Sequence, residues 1–326
     1  MRKATVKIRP DTDPATIEPR IAGQPTERVL VAAPLPAPVL AAAAEALAAH
    51  PGVTLHLLGH ADPAQLPVFH HVRELALDLP HATAFDVLSE FTELHELRLG
   101  RTNSAKPSLA FLGGLPNLVT LAVDEHGRGF ESIAGASSLR HLALRSPRAK
   151  SLDPLRGHPA LETFAMDFGG IRYLTPLAGI PTLRGLALFQ IRGLDDLSAL
   201  ADCVNLEAVS LGALKNVPDL QALARHPALR FLILELLRGL DTLAPLATCA
   251  RLEQLALFDS RPADRRLDVL VPAPGLRHAL IGDPYPPAQV DALRERLYTL
   301  HYRGENLRGD GSALRVHWRT PVTDLL

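Results

Sequence analysis

Leucine and other apolar residues recur along most of the chain in the pattern L-x-x-L-x-L, with conservative replacements. Successive copies start 21 to 24 residues apart, and their first residues are Val72, Leu94, Leu118, Leu139, Leu161, Leu183, Leu206, Leu229, Leu252 and Leu276. A weaker copy starts at Val53. Because spacing this regular is typical of a structural repeat, the pattern predicts an array of similar units over most of the chain.

The repeat from Leu229 to Arg251 shows how each unit divides into two halves. Its apolar residues first alternate, at Leu232 and Leu234, which is the period of a β-strand. From Leu234 to Cys249 they recur every three residues, which predicts a tight turn followed by one or two short helical turns. A single unit of this size cannot bury its own leucines, so the copies must stack and share one core.

The repeat resembles that of the leucine-rich repeat proteins, and its length is similar to the short 22-residue bacterial class typified by internalins. This resemblance covers about residues 53–281. It implies an α/β fold, a leucine-rich repeat solenoid with a curved parallel sheet on its concave face and short helical or 3-10 segments on its convex face. That class usually carries an asparagine just after the strand, whereas this chain has Asn103 once and elsewhere residues such as Ile191, Leu214 or Leu237. We therefore expect more helical convex segments to arrange the hydrogen bonds of the turns.

The segments outside the repeats predict caps, because open solenoid ends would expose leucines. We predict a polar, partly disordered N-terminal tail over residues 1–27 and a strand–helix–strand cap over residues 28–71. About ten repeats then occupy residues 72–281, and residues 282–326 form a C-terminal cap. Within that cap, helical spacing from Pro286 to Leu300 precedes a final strand over residues 313–318.

Stacking turns each strand position into a column of side chains, with neighbours about 4.8 Å apart. Counted from the first leucine of a copy, positions 4 and 6 face the core and positions 3, 5 and 7 face the concave surface. Position 2 alternates in sign over seven repeats, as Arg140, Glu162, Arg184, Glu207, Arg230, Glu253 and Arg277. We predict that this ladder stabilises the stacking register, at roughly 0.2–1 kcal/mol per pair, and does not dock a ligand.

Small residues dominate position 5, which predicts a shallow trough along the concave face. They are Ala76, Ala122, Ala143, Ala165, Ala187, Ser210 and Ala256. In the C-terminal half the same face carries large apolar residues, Phe189, Phe231, Ile233, Phe258 and Leu280. Such residues anchor partners at interfaces, so we predict a docking surface for a protein or peptide, with Arg98 and Arg145 setting its polarity. The alternative is that the C-terminal cap folds back over these residues.

Ionisable residues of the concave face support a second hypothesis, an enzyme or accessory protein acting on a peptide in the trough. His141, Asp124, Arg98 and Asp167 would carry its acid–base or anion-clamping chemistry. A solvated polar patch is the simpler interpretation, because no catalytic motif accompanies these residues. The chain lacks a phosphate loop and a G-x-S-x-G motif, and the sequence from His95 to Leu99 lacks the second histidine of a zinc protease. We predict a non-catalytic protein without a cofactor.

Two cysteines and a histidine occupy one repeat position in three successive units, as Cys203, His226 and Cys249. Two repeat steps separate the cysteine backbones by about 10 Å, which exceeds the limit of about 7 Å for a disulfide. The equivalent residues elsewhere are apolar, such as Leu115 and Ile180. We therefore predict core residues here and no metal site.

Composition indicates which kind of partner and which cellular compartment to expect. Lys and Arg number 34 against 35 Asp and Glu, so the chain has no surplus of positive charge for nucleic acid. The most apolar run, residues 29–49, is interrupted by Glu45 and three prolines, which disfavours a membrane span. No apolar stretch follows the charged N-terminus, and only two cysteines are present. We expect a cytoplasmic protein with a protein or peptide partner.

Overall fold

The computed structural model describes residues 4–303 in full and residues 305–308 by their backbone. These residues divide into two compact units, of which the first ends at Arg148 and the second begins at Ala149. The final strand predicted over residues 313–318 lies outside the described residues. Within them, every helix is too short or too polar to cross a membrane.

The first unit is built on seven parallel strands that neighbour one another in chain order. They are β1 (Ala4–Ile8), β2 (Thr26–Val31), β3 (Thr54–Leu58), β4 (Glu74–Asp78), β5 (Glu96–Leu99), β6 (Thr120–Asp124) and β7 (His141–Arg145). Its α-helices are α1 (Ile17–Ala22) and α2 (Ala37–Ala49). Its 3-10 helices are Pro14–Thr16, Pro63–Phe69, Asp86–Glu90, Ala110–Gly114 and Phe130–Gly135.

The prediction of a partly disordered tail over residues 1–27 is wrong for the described part of that segment. Strand β1 pairs in parallel with β2, and its alternating residues Val6 and Ile8 are each 2% exposed. Helix α1 packs against α2 and buries Ile17 and Ile21. Four buried aliphatic side chains in a short segment outweigh its polar and proline-rich composition, because burial of each contributes about 1.5–3 kcal/mol.

The second unit contains parallel strands β8 to β14 in chain order, and β15 pairs antiparallel with β14. They are β8 (Thr163–Asp167), β9 (Gly185–Phe189), β10 (Ala208–Gly212), β11 (Phe231–Glu235), β12 (Gln254–Phe258), β13 (His278–Ile281), β14 (Thr299–Tyr302) and β15 (Glu305–Arg308). Helix α3 is Pro287–Arg296. The 3-10 helices are Asp153–Leu155, Thr175–Leu177, Ser198–Asp202, Gln221–Leu223, Ala244–Thr248 and Asp268–Leu270.

The predicted register holds within each unit. Strands β4 to β13 all begin at position 3 of their repeat, and positions 4 and 6 are buried, as at Leu232 and Leu234. The helical spacing predicted from Pro286 to Leu300 ends early, because α3 stops at Arg296 and β14 starts at Thr299. The sheet face that carries positions 3, 5 and 7, opposite the core, is called the open face below.

The turn after each strand uses backbone geometry instead of asparagine. Position 8 adopts a left-handed conformation, with φ of 52° at Gln190, 51° at Ala213 and 55° at Leu236. In these three repeats its N–H donates to the position-7 carbonyl of the next repeat, at 2.8 Å each. The expectation that more helical convex segments replace the asparagine is therefore wrong. Position 9 is free to be apolar, and Leu214 and Leu237 are fully buried there.

The charge ladder at position 2 forms discrete ion pairs in the second unit. Arg184 pairs with Glu207, and Arg230 donates two hydrogen bonds of 2.9 Å to Glu253. These hydrogen bonds lower the pKa of Glu253. The Arg277 guanidinium lies 5.3 Å from the ring centre of Tyr298. Both ion pairs are partly exposed to solvent, so each contributes about 1 kcal/mol or less and serves mainly to favour one stacking register.

Candidate functional site

Large apolar side chains of β9 to β13 form the candidate docking surface, called the aromatic patch. It consists of Phe189, Phe231, Ile233, Phe258 and Leu280, which all lie on the open face of the second unit. Phe258 is 36% exposed, and the other four are half-buried. The predicted residues thus share one face of one unit, and part of each side chain remains in contact with solvent.

Phe189 is partly covered by its own unit. Its ring lies over Gly212 of the neighbouring strand, so a methyl group added to Gly212 would overlap it. The Phe168 ring, in the turn after β8, meets Phe189 edge to face with ring centres 5.9 Å apart. Phe189 therefore contributes a packed border to the aromatic patch, whereas the more exposed part lies on β11 to β13.

Small neighbours make Ile233 prominent at the centre of the aromatic patch. Its register partners on β10 and β12 are Ser210 and Ala256, which leave both flanks of the Ile233 side chain open. Phe231, two residues earlier, has the Arg230 guanidinium 5.1 Å from its ring centre. This cation–π contact holds a charged group at the edge of the apolar surface, as in the polar rim of many interfaces.

An open pocket of about 470 Å³ adjoins the aromatic patch at its C-terminal end. It is lined by Phe258, Leu280, Ile281, Gly282, His301 and Arg303. Strand β14 extends the sheet beside β13 and does not cover it. The alternative in which the C-terminal cap folds back over the aromatic patch is thus not seen for residues 282–303.

The alanines of the predicted trough are less accessible than a binding trough for a peptide would require. In the first unit Ala143 is fully buried, and Ala76 and Ala122 are 5% and 6% exposed. In the second unit Ala165 is fully buried, whereas Ala187 and Ser210 are half-buried. A methyl group lies below the longer side chains of positions 3 and 7 when strands are about 4.8 Å apart. A peptide backbone would therefore contact the flanking side chains before it reached these alanines.

Two pairs of charged and polar groups are hydrogen-bonded on the open face of the first unit. Arg98 donates to Glu96 at 2.9 Å, and the Thr54 hydroxyl donates to Glu74 at 2.6 Å. These four residues, with Arg28, line a polar pocket of about 400 Å³. Arg98 lies at position 5 of its repeat, and Glu96 compensates its charge.

A histidine–carboxylate pair that sequence analysis missed lies beside this pocket. His56 and Asp78 are 2.6 Å apart, on β3 and β4. The hydrogen bond with His56 lowers the pKa of Asp78. The weak copy counted from Val53 conceals this pair, because it puts His56 at position 4, which faces the core. In the structure Leu55 pairs with Leu75, so this copy starts one residue earlier, at Gly52, and His56 takes position 5 beside Ala76.

The residues of the enzyme hypothesis do not assemble in the first unit. His141 pairs in register with Thr120, while Asp124 pairs with Arg145 at the other end of the same strands. Four residues along a strand correspond to about 13 Å, which is beyond hydrogen-bond reach. Burial raises the pKa of Asp124, and the nearby Arg145 opposes this shift. Asp167 ends strand β8 in the second unit.

The cysteine column consists of buried, unpaired core residues. Cys203 and Cys249 are 2% and 0% exposed, and both are free thiols. Burial raises the pKa of Cys203 to about 11, so the thiol is protonated and unreactive at neutral pH. His226 Nε2 lies 3.2 Å from the Cys203 carbonyl oxygen. Among the residues that the structure describes, no three or more His, Cys, Asp or Glu side chains are grouped to hold a metal ion.

Comparison with known proteins supports the fold. The chain is similar to an internalin of Listeria monocytogenes, at 16% identity over 85% of this chain and 82% of that one, with a TM-score of 0.61. A leucine-rich repeat protein of Leptospira interrogans matches at 14% identity over 85% and 78%, with a TM-score of 0.56. A chain of the Toll–Spätzle complex of Drosophila matches at 16% identity over 92% of this chain and 43% of that one, with a TM-score of 0.59.

The chain therefore has the leucine-rich repeat fold, an open parallel sheet backed by short 3-10 helices, and this sequence prediction is confirmed. No protein-family model matches the sequence, and no curated protein does so. At identities of 14 to 16% the likeness extends to the fold alone. Any function must be argued from the chain's own surface.

Proposed function

We propose that the protein is a non-catalytic recognition scaffold, which binds a protein or peptide partner on the open face of its second unit. The observation that carries this proposal is the aromatic patch, above all the 36% exposure of Phe258 next to the pocket. Exposed aromatic side chains grouped on one sheet face are typical of binding surfaces, and such anchors dominate interface energies.

The surroundings of the aromatic patch support a protein partner. Arg230 and Glu253 form an ion pair beside Phe231, and Glu235 is exposed next to Phe258 in the register. An apolar centre with a charged rim is the usual anatomy of a protein interface. The fold supports the same interpretation by analogy, since one of the solved neighbours comes from a protein complex, Toll–Spätzle.

The enzyme hypothesis is less well supported by the geometry. General acid–base catalysis needs its groups within hydrogen-bond reach of the reacting atoms, and the register separates His141 from Asp124 by about 13 Å. Arg98 is engaged by Glu96. We retain Arg98 and Arg145 in the proposal as residues that set the polarity of the open face of the first unit.

The aromatic patch is tested by charge substitution. We expect the double variant Phe231→Asp/Phe258→Asp to lose its partner, because two carboxylates would have to be desolvated in the interface. Affinity capture from the source cells, followed by mass spectrometry, compares it with the wild type. Tyr173→Asp is the matched control, since Tyr173 is an exposed aromatic residue (67%) outside the strands.

A partner that is recovered with the wild type and with Tyr173→Asp, but not with the double variant, would support the proposal. Circular dichroism and thermal unfolding confirm that the double variant is folded. If the folded double variant retains the partner at wild-type levels, the aromatic patch is not the binding surface.

A further inference from the structure

The pocket next to Phe258 exists because a glycine lies between two long side chains. Phe258, Gly282 and Arg303 lie side by side on three neighbouring chain segments, each just after position 6 of its strand. Two strand steps place the backbones of Phe258 and Arg303 about 10 Å apart. Gly282 contributes no side chain to the space between them, while Leu280 and His301 border it on the adjacent row.

The two sides of this pocket differ in chemistry. One side is apolar, formed by the exposed part of the Phe258 ring and by Leu280. The other side carries the exposed Arg303, whose guanidinium has no carboxylate partner among the described residues. The His301 ring lies beside it, and its Nε2 is buried without a hydrogen-bond partner. A ligand that fits must present an apolar group and a negative charge, separated by about the length of one side chain.

We propose that this pocket binds the C-terminal residue of the partner protein, with its apolar side chain against Phe258 and Leu280 and its free carboxylate on Arg303. The inference rests on the proposed function and specifies the chemistry of the partner. Arginine suits this role because its planar guanidinium can donate two parallel hydrogen bonds to a carboxylate.

Chain geometry favours a terminal residue over an internal acidic segment. In an extended peptide, adjacent side chains point in opposite directions, so an internal segment would need its apolar and its acidic residue two positions, about 7 Å, apart, with both side chains held in the pocket. A terminal residue carries its side chain and its carboxylate on the same Cα. The pocket volume of about 470 Å³ lies in the range of small-ligand sites and accommodates one such residue.

Two labelled peptides test the proposal with the full chain. Fluorescein-Gly-Ser-Gly-Ser-Gly-Phe is prepared once with a free carboxylate and once as the C-terminal amide, and binding is followed by fluorescence anisotropy. We expect the free acid to bind at least about tenfold more tightly than the amide. Arg303→Gln should reduce the affinity of the acid to that of the amide, and Arg303→Lys should restore part of the difference.

Arg265→Gln is the matched control. Arg265 is also an exposed arginine with left-handed backbone, at φ 50° against 49° for Arg303, but it lies outside the pocket. This variant should bind both peptides like the wild type. Gly282→Ala places a methyl group 3.4 Å from the Phe258 ring and should weaken both peptides, because it fills the pocket without changing the charge.

The outcomes separate this inference from the proposed function. Equal binding of acid and amide, an unchanged preference in Arg303→Gln, or no binding of either peptide at 1 mM would each overturn the carboxylate site. The aromatic patch is judged separately by partner capture, because Phe231 lies outside the pocket. A partner lost in the Phe231/Phe258 variant and retained in Arg303→Gln would leave the docking surface in place without this site.

Discussion

At the scale of single residues, glycines decide where the large side chains of the open face lie. Phe189 lies across Gly212, Asp78 lies across Gly100, and Phe258 stands beside Gly282. In the first two cases a position-7 side chain fills the space that the glycine of the next strand leaves, whereas Phe258 only borders that space and the pocket beside Gly282 stays open. The sequence places these residues on one column, but the direction in which a side chain leans depends on its neighbour in space.

Gly212→Ala tests this arrangement. The added methyl group would overlap the Phe189 ring, so we expect the free energy of unfolding to fall by about 1–3 kcal/mol, as for an overpacked site. Gly170→Ala is the control, because a methyl group there meets open space. Urea unfolding measures both, and Phe189→Ala in the Gly212→Ala background should recover part of the loss. An unaltered unfolding curve for Gly212→Ala would show that the ring does not lie over Gly212.

A buried histidine predicts acid sensitivity. Burial lowers the pKa of His226 from its usual value of 6.5, so the unfolded state binds more protons once the pH falls below about 7. Stability is therefore retained above pH 7 and declines as the pH falls through 6.5 toward the lowered value. We expect His226→Leu to lose less stability between pH 7.5 and pH 5.5 than the wild type does.

His226→Leu keeps the apolar consensus of the repeat, since Leu115 and Ile180 occupy the equivalent position in other repeats. Some acid sensitivity should remain, because burial also lowers the pKa of His71 and His126. Urea unfolding at both pH values is the measurement, with the exposed His81→Gln as control. An identical pH dependence of stability in His226→Leu and in the wild type would contradict the lowered pKa of His226.

At the scale of elements, the repeat pattern predicts strands more reliably than it predicts the ends of the array. Ten strands begin where the register places them, because three buried leucine positions recur in each copy. The segment Leu297 to Tyr302 is an additional copy, with Leu297 and Leu300 fully buried and Tyr302 at position 6. Strand β1 and helix α1 were not predicted, because each spans only five or six residues. That length is too short to show the hydrophobic period of a strand or a helix.

Ile21→Ala tests whether the N-terminal elements belong to the folded core. Ile21 is 2% exposed on α1, so truncation should lower the free energy of unfolding by about 2–5 kcal/mol. Asp11→Ala changes an exposed residue of the same segment and should have an effect below about 0.5 kcal/mol. If both substitutions were equally harmless in chemical unfolding, the segment would not pack on α2.

At the scale of the whole molecule, the fold is easier to predict from sequence than the site. Leucine periodicity reports burial, which the fold requires in every copy, so ten copies reinforce one another. The site depends on contacts that occur once, such as the hydrogen bond of Arg98 to Glu96. Residues that share a face can also lie at opposite ends of their strands. His141 and Asp124 do so, and they are therefore too far apart for a hydrogen bond.

The left-handed residue at position 8 has a consequence for how this molecule can change. Its lateral hydrogen bond comes from the main chain, so no particular side chain is required there. The position is occupied by Glu125, Ser146, Phe168, Gln190, Ala213, Leu236 and Asp259, which are acidic, polar, aromatic and aliphatic in turn. The rim of the open face can therefore diversify residue by residue, while the sheet beneath it stays the same.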